Sequence, residues 1–465
     1  MPEPVRDSSV SAPAAPPSGP EQRTLPRTLN TLDLVGIGIG TVLGSGIFLV
    51  PSSVLNQSGG ALGIALIVWV SAGILSVLGA LTYGELGAMK PEAGGIYIYI
   101  RDAFGPFLAF LYGWALFFVI GSGSVATLTV AFTAYLQEFV ELDPLGSKIV
   151  AVVVIAIIAV INVRGTRTSA SVQNVMTTIK VGAIVALSLA LVATGNGLSQ
   201  TGGQWWPEAG RMNLSLLTSV GIAMVSVLWA YEGWQYVTFS AGEATNPQRT
   251  FPRALIFGTT AIVGIYLLAN LGYLAALGPA GTRGATRIAA ESANASLGSW
   301  AAKGIAAAIL VSMFSASNGL TLTTPRVYFA MARDGLFFER LAHLHPRYQT
   351  PAFAVVTSSI WAALLAITGT YEQLLTYVVF AAWFFYAFGG IAVFHYRRAH
   401  PDAVRPFVVP GYPVTPFLFI LSAIAIVVNT IVTQPARAGV GVAILLAGTP
   451  AYFLWRKRGP ASLDV

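Results

Sequence analysis

Apolar runs long enough to cross a lipid bilayer recur along almost the whole chain, and they constrain the fold more than any other feature. From Leu34 to Leu454 these runs are separated only by short polar segments. A transmembrane helix needs roughly 20 mostly apolar residues, because lipid offers no partner to free backbone N–H and C=O groups. Hydrophobic residues make up 55% of the chain and charged residues 10%, against about 25% charged residues in soluble domains. The sequence therefore predicts an all-α membrane protein.

Twelve runs qualify as transmembrane helices, and we number them spans 1 to 12. They are Leu34–Val54, Ala61–Met89, Pro106–Phe139, Ile149–Val163, Ser171–Ala193, Leu217–Ala241, Ala254–Leu277, Ile305–Met331, Phe353–Gly369, Leu374–Tyr396, Pro416–Val432 and Ala438–Leu454. Span 3 is longer than a bilayer is thick, which predicts a tilted helix or an extension beyond the membrane. Spans 4 and 9 are short.

The basic residues predict how the chain lies in the membrane. Cytoplasmic loops keep an excess of Lys and Arg, and most of the 26 Lys and Arg residues lie on the side of the N-terminus. Both termini are therefore predicted to be cytoplasmic, in a plasma or inner membrane. This pattern also explains the net charge of +7. Nucleic-acid binding would instead require basic residues clustered on one face, so no nucleic-acid partner is expected.

The same pattern divides the chain into four parts. Residues 1–27 are rich in Pro, Ala and Ser and have no apolar segment, so we expect a disordered cytosolic tail rather than a signal peptide. Residues 28–396 hold spans 1 to 10. Residues 397–455 hold a cytosolic loop with spans 11 and 12, and residues 456–465 form a cytosolic C-terminal tail.

The sequence offers no set of residues typical of a catalytic or metal site. Cysteine is absent, which excludes disulfides and thiolate metal ligands. The four histidines are assigned to the cytoplasmic side, and no pair of carboxylates is predicted at membrane depth. We therefore expect no enzyme activity, no metal and no cofactor.

Span 1 carries five glycines between Gly36 and Gly46, and two interpretations are open. Glycines at 36, 40 and 44 lie on one helix face, and such spacing lets membrane helices approach closely. Gly44-Ser45-Gly46 also lacks helix propensity at mid-span, as expected where a helix unwinds and its free backbone groups line a water-filled site. We expect the unwound point at 44–46, with packing served by the half-helix before it.

Span 6 has a matching feature five spans later, with Glu232 and Gly233 at its middle. Transporters built from inverted repeats have interrupted helices at corresponding positions in both halves, and the interruptions flank the substrate. A helix N-terminus attracts a carboxylate, and free carbonyls at a C-terminus attract an ammonium. A zwitterionic amino acid is therefore the expected substrate. Trp229, just before the break, is a candidate ring to close over it; without a break it would be an ordinary packing residue.

Two ionisable residues are predicted at membrane depth, where burial is costly and a functional role is the default. For Glu232 the alternative is a structural pairing with a neighbouring helix. Lys180 lies about nine residues into span 5, roughly 13 Å deep, where an ammonium must be paired, hydrogen-bonded to carbonyls or deprotonated. We expect Lys180 to stand where sodium-coupled transporters hold a sodium ion, or to carry a coupled proton. The alternative is snorkelling to the interface. Glu85, near the cytosolic end of span 2, is expected to be structural.

Several motifs occur together in one order, and they carry a resemblance to a known family. They are Gly44-Ser-Gly-Ile-Phe48, Tyr83-Gly-Glu-Leu-Gly87, Pro91-Glu-Ala-Gly-Gly95, Ala230-Tyr-Glu-Gly-Trp234, Gly242-Glu-Ala-Thr-Asn-Pro247, Pro252-Arg253, Ser317-Asn-Gly319, Pro325-Arg326 and Ala332-Arg-Asp-Gly335. Over about residues 28–455 the chain resembles the L-type amino-acid transporter branch of the amino acid–polyamine–organocation superfamily.

The resemblance implies a LeuT-type fold, in which spans 1–5 and 6–10 are inverted repeats and spans 1 and 6 are interrupted. It also implies sodium-independent alternating access, by exchange or proton coupling. The residues implied to meet the substrate or replace sodium are Val42, Gly44, Ser45 and Gly46 on one side, Trp229, Ala230 and Glu232 on the other, and Lys180 in span 5. Ser315 and Ser317 are open candidates to accept a hydrogen bond from Lys180.

Two departures from the family pattern bear on the substrate. Trp229 stands where the family usually has Phe, which should shrink the pocket and favour small side chains. Glu232 stands where relatives vary between small and acidic residues, and an acid there would favour cationic substrates. We expect a transporter of small neutral L-amino acids; a cationic amino acid or polyamine antiporter and a non-transporting amino-acid sensor stay as alternatives. Eukaryotic members pair with a glycoprotein through a cysteine, so its absence predicts no obligatory protein subunit.

Overall fold

The structure is a computed structural model, and it describes residues 25–202, 205–207 and 214–456. Within these ranges the regular secondary structure is helical, apart from one isolated parallel bridge between Leu29 and Ala244. Most of the two predicted tails, residues 1–24 and 457–465, lies outside the described residues.

Seventeen α-helices occur in the described part of the chain, labelled α1 to α17. They are Thr31–Val42, Gly46–Gln57, Leu62–Met89, Ile96–Phe104, Pro106–Ala115, Gly121–Leu136, Pro144–Val163, Thr166–Thr194, Leu214–Ala230, Pro247–Gly284, Ile288–Leu297, Ser299–Thr323, Pro325–Arg333, Ala352–Thr368, Tyr371–Ala399, Val414–Thr433 and Pro435–Arg456. A π-helical stretch, Leu116–Ile120, joins α5 to α6, and a 3₁₀ helix, Trp234–Glu243, lies between α9 and α10.

The helices agree with the predicted apolar runs. Ten segments of the described chain are long and apolar enough to cross a bilayer, and the bent pair α1–α2 brings the number to 11. Helix α14 is a shorter apolar helix of 17 residues, which matches the predicted shortness of span 9. Each of the twelve runs therefore falls on a helix or on a series of joined helices.

Both predicted interruptions are present. Helix α1 ends at Val42 and α2 begins at Gly46, with a bend of 43° between them. Helix α9 ends at Ala230, and a turn of three residues leads into the 3₁₀ helix. The turn ends at Gly233, whose φ of 131° is a conformation that residues with a side chain rarely adopt. The prediction of breaks in spans 1 and 6 is confirmed.

The glycines before the first break serve helix packing. A Cβ atom added at Gly36 would clash with the Asn174 side chain, and one at Gly40 would clash with Gln173 and Thr177. All three of these side chains belong to α8. The spacing of four therefore lets α1 lie close against α8, while Gly44-Ser45-Gly46 forms the break itself.

Ion pairs join the helix ends on the side predicted to be cytoplasmic. Arg326 and Glu243 are both fully buried, with Nε and Oε1 2.7 Å apart. The Glu85 carboxylate accepts hydrogen bonds from Arg397 Nη2 at 2.6 Å and from the Val409 N–H at 2.8 Å. Glu85 therefore has the structural surroundings expected of it.

Candidate functional site

The two helix breaks lie directly against each other. A Cβ added at Gly46 would clash with the backbone of Ala230, and one added at Gly233 would lie 2.8 Å from the backbone nitrogen of Val42. The Thr41 hydroxyl donates a hydrogen bond to the Gly233 carbonyl at 3.1 Å. The C-terminal ends of α1 and α9 and the N-terminal end of α2 therefore meet at one place.

A small cavity lies at this meeting point. Its volume is ≈ 20 Å³, about the room that one water molecule needs. It is lined by Thr41, Val42, Gly44, Ser45, Gly46, Ser124, Leu128, Trp229, Glu232, Tyr236 and Leu320. Six of the seven predicted substrate-contacting residues are in this lining; the seventh, Ala230, lies behind Gly46. Sequence reasoning missed the contributions of α6 and α12.

The helix ends give the site opposite polarities. Helix α2 begins at Gly46, and the first N–H groups of a helix have no partner within it. These groups favour an anion such as a carboxylate. The carbonyls at the ends of α1 and α9 favour a cation or a hydrogen-bond donor. The arrangement suits a small zwitterion.

Lys180 binds the carbonyls that the first break leaves free. It is buried at the middle of α8, and its ammonium donates to the carbonyls of Gly40 at 2.6 Å, Leu43 at 2.7 Å and Ser312 at 3.3 Å. Snorkelling to the interface is therefore wrong for Lys180. The acceptor on α12 is the Ser312 backbone, whereas Ser315 and Ser317 were the residues considered from sequence.

Tyr266 of α10 connects the two interrupted helices. Its hydroxyl lies 3.0 Å from the Val42 carbonyl and 2.8 Å from the Ala230 carbonyl, and the two carbonyls share its single proton. The sequence carried no signal for this residue, because it is one of 17 tyrosines and stands in an ordinary apolar run.

Trp229 closes the cavity toward the start of α15. Its indole N–H lies 3.1 Å from the Tyr371 hydroxyl and 3.4 Å from Ser45 Oγ, and these two hydroxyls are 3.1 Å apart. The three side chains form a hydrogen-bonded closure that joins both breaks to α15. Sequence reasoning singled out Trp229 and Ser45 but missed Tyr371.

Glu232 lies in the second break and faces the cavity. Its Oε1 accepts hydrogen bonds from the Tyr386 hydroxyl and from Gln235 Nε2, each at 2.5 Å. No Lys or Arg of the described residues forms an ion pair with it. Its contact with the neighbouring helix α15 is therefore a hydrogen bond from an uncharged side chain and not an ion pair, and Tyr386 is a further residue that the sequence did not reveal.

Comparisons with known proteins point to one family. A family model described as amino acid permease matches residues 29–452. The serine/threonine exchanger SteT of Bacillus subtilis is 31% identical over 447 residues, covering 94% of this chain and 99% of its own length. The human cystine/glutamate transporter is 30% identical and covers 95% and 88%. The large neutral amino acids transporter small subunit 2 of Rattus norvegicus is 29% identical and covers 97% and 85%.

Proposed function

The chain belongs to the amino acid permease family, and from this premise we propose that it is a sodium-independent transporter of small neutral L-amino acids. Transport would proceed by alternating access, as exchange or as proton-coupled symport. The observation that carries the proposal is the meeting of two helix breaks around a small cavity, with helix ends of opposite polarity. The family consists of transporters, and we expect no covalent chemistry at this site.

The proposed architecture is a LeuT-type fold of twelve transmembrane helices, with both termini cytoplasmic in the plasma membrane. The two interrupted helices support it, because they stand five spans apart as inverted repeats require. The short helix α14 and the bent pair α1–α2 would then each cross the bilayer once.

Independence from sodium is proposed on the contacts of Lys180. Interrupted helices of transporters bind sodium through carbonyls freed by unwinding. Here the ammonium of Lys180 donates to two such carbonyls, at Gly40 and Leu43. A cation at this point would have to displace the Lys180 amine from these carbonyls.

The preference for small neutral substrates is proposed on the size of the cavity. Trp229 and Leu128 leave only ≈ 20 Å³ between them and the breaks, so a large side chain would require extensive rearrangement. The name of the Bacillus subtilis relative, a serine/threonine exchanger, agrees with small substrates. The second candidate, a cationic amino acid or polyamine antiporter, is favoured by one observation, the acid Glu232 in the cavity wall.

We further propose that the protein works without an obligatory protein subunit. The rat relative is by its name a small subunit, which implies a larger partner for that protein. The present chain has no cysteine through which a partner would be held covalently. Purified protein that transports alone would support this proposal.

The test is uptake of radiolabelled serine, alanine and arginine into proteoliposomes that contain the purified protein. Vesicles are empty or preloaded with unlabelled amino acid, with and without sodium, at matched and stepped pH. Serine or alanine uptake only into preloaded vesicles, indifferent to sodium, is expected of an exchanger; uptake driven by an inward proton gradient is expected of a symporter. Arginine uptake would support the cationic alternative. Binding without uptake by folded protein would support the sensor.

A further inference from the structure

Part of the cavity lining is formed by side chains rather than by the helix ends that would bind the backbone groups of an amino acid, and we call this part the side-chain wall. It consists of Ser124 and Leu128 from α6, Leu320 from α12, Glu232 in the second break and Tyr236 in the 3₁₀ helix that follows. If the α-carboxylate and α-ammonium bind at the helix ends, this wall faces the substrate side chain. Its chemistry therefore bears on which side chains are accepted.

Glu232 is the one acid in this wall, and the described residues give it no cationic partner. The titratable side chains close to it are the phenols of Tyr83, Tyr112, Tyr236 and Tyr386. No Lys, Arg or His of the described chain lines the cavity. A buried carboxyl group is costly unless its hydrogen-bonding capacity is used.

The orientation of Glu232 is fixed from behind. The Tyr386 hydroxyl and the Gln235 amide both donate to Oε1. Two donors on one oxygen hold the carboxyl group in a defined orientation while the residue still contributes to the cavity surface. A side chain held in this way is preorganised to meet a ligand.

Ser124 adds a second acceptor to the same wall. Its hydroxyl proton is used in a hydrogen bond to the Ile120 carbonyl at 2.7 Å. Toward the cavity Ser124 Oγ can therefore only accept. The wall combines these acceptors with the Tyr236 hydroxyl, which can donate or accept, and with the apolar side chains of Leu128 and Leu320. A short side chain that ends in a hydrogen-bond donor complements the acceptors.

We propose that Glu232 is a specificity-determining residue that receives a hydrogen bond from a hydroxyl or ammonium group on a short substrate side chain. Serine, threonine and short diamino acids are then favoured over apolar analogues of the same size. This inference rests on the proposed function, amino-acid transport through this cavity. An apolar analogue would leave the buried carboxyl without the donor, and sites built for a hydrogen bond reject such analogues strongly.

The test compares isosteric substrate pairs in proteoliposomes: serine with 2-aminobutyrate, threonine with valine, and 2,4-diaminobutyrate with norvaline. We expect the donor-bearing member of at least one pair to have a kcat/KM about tenfold or more above its partner. The serine and diaminobutyrate pairs distinguish hydroxyl from ammonium as the bound group. Equal values in all three pairs would overturn the inference and leave amino-acid transport intact.

Two substitutions test whether Glu232 is responsible. In Glu232→Ala we expect the preference within each pair, measured as the ratio of the two kcat/KM values, to fall to about one; this ratio is read within one variant and does not depend on its absolute rate of uptake. Glu232→Gln keeps an acceptor but loses the charge, so it should weaken selection of 2,4-diaminobutyrate more than selection of serine. Glu339→Gln, at an exposed cytosolic position, is the matched control and should behave as wild type.

The outcomes separate the inference from the function on which it rests. An unchanged preference in Glu232→Ala would overturn the role of Glu232. If a variant fails to fold, the selectivity of the wild-type protein within the isosteric pairs still decides whether the wall prefers donors. Folded wild-type protein that transports no amino acid would overturn the proposed function and this inference with it.

Discussion

Replacing Lys180 by Met removes the ammonium from the first helix break and keeps most of the side-chain volume. The consequence depends on which carbonyls have another partner. Leu43 O keeps the Ser312 hydroxyl, which donates to it at 2.7 Å. Gly40 O does not have its usual helical partner, because the Gly44 N–H bonds to Val42 O at 2.7 Å. The substitution therefore leaves one buried carbonyl, that of Gly40, without a donor.

An unsatisfied buried carbonyl costs about 1–3 kcal/mol. The substitution also removes the desolvation penalty of a buried ammonium, which offsets part of this cost. If the native arrangement of the first break is destabilised by about 1–2 kcal/mol, its equilibrium population relative to other arrangements falls by a factor of roughly 5–30. We therefore expect serine exchange to slow by about this factor in Lys180→Met. Lys180→Ala should slow it further, because it also leaves a cavity.

The assay is the initial rate of serine exchange in proteoliposomes with equal amounts of reconstituted protein, judged folded by a single symmetric size-exclusion peak. The control is Lys303→Met, which removes an exposed lysine at the start of α12 and should leave the rate unchanged. Normal exchange by Lys180→Met would refute the role of the ammonium at the break. Sodium-stimulated uptake by the wild-type protein would refute the idea that Lys180 stands in for sodium.

Three further substitutions have expected outcomes. Gly46→Ala should abolish exchange, because its Cβ would clash with the backbone of Ala230; wild-type rates would mean that the breaks can separate freely. Tyr266→Phe removes the donor shared by two carbonyls, and the lost hydrogen bond costs roughly 1–2 kcal/mol. The exchange rate should therefore fall by about tenfold. Arg326→Met leaves Glu243 buried without a cation and should destabilise the fold by about 3–5 kcal/mol, seen as a clearly lower midpoint of thermal unfolding in detergent.

The sequence predicted the helices and their two breaks because a bilayer imposes simple rules on the chain. Helices must be long and apolar, and Gly44-Ser45-Gly46 contradicts both helix propensity and the need to satisfy backbone groups in lipid. Lys180 and Glu232 were found for the same reason, since charged groups at membrane depth are costly and therefore rare. These signals are local, and a single sequence contains them in full.

The partners of these residues could not be predicted, because they depend on how distant helices pack. Tyr266 is 224 residues from Val42, and Tyr386 is 154 residues from Glu232. A tyrosine in an apolar run is compatible with simple packing, so its type alone carries no information on the hydroxyl. The choice of Ser312 over its neighbours as acceptor for Lys180 likewise depends on the rotation of α12 against α8.

These long-range contacts bear on how the breaks are maintained without an ion. Every carbonyl freed by unwinding needs a donor when it is buried. Lys180 supplies donors to Gly40 and Leu43, and Tyr266 supplies a donor near Val42 and Ala230. Both donors belong to helices outside the interrupted pair and are covalently part of the protein. Under the proposed function they remain in place when the substrate leaves, whereas a bound ion would be released. If the protein is an exchanger, as proposed, its helix breaks need no bound ion to satisfy these carbonyls when the substrate leaves.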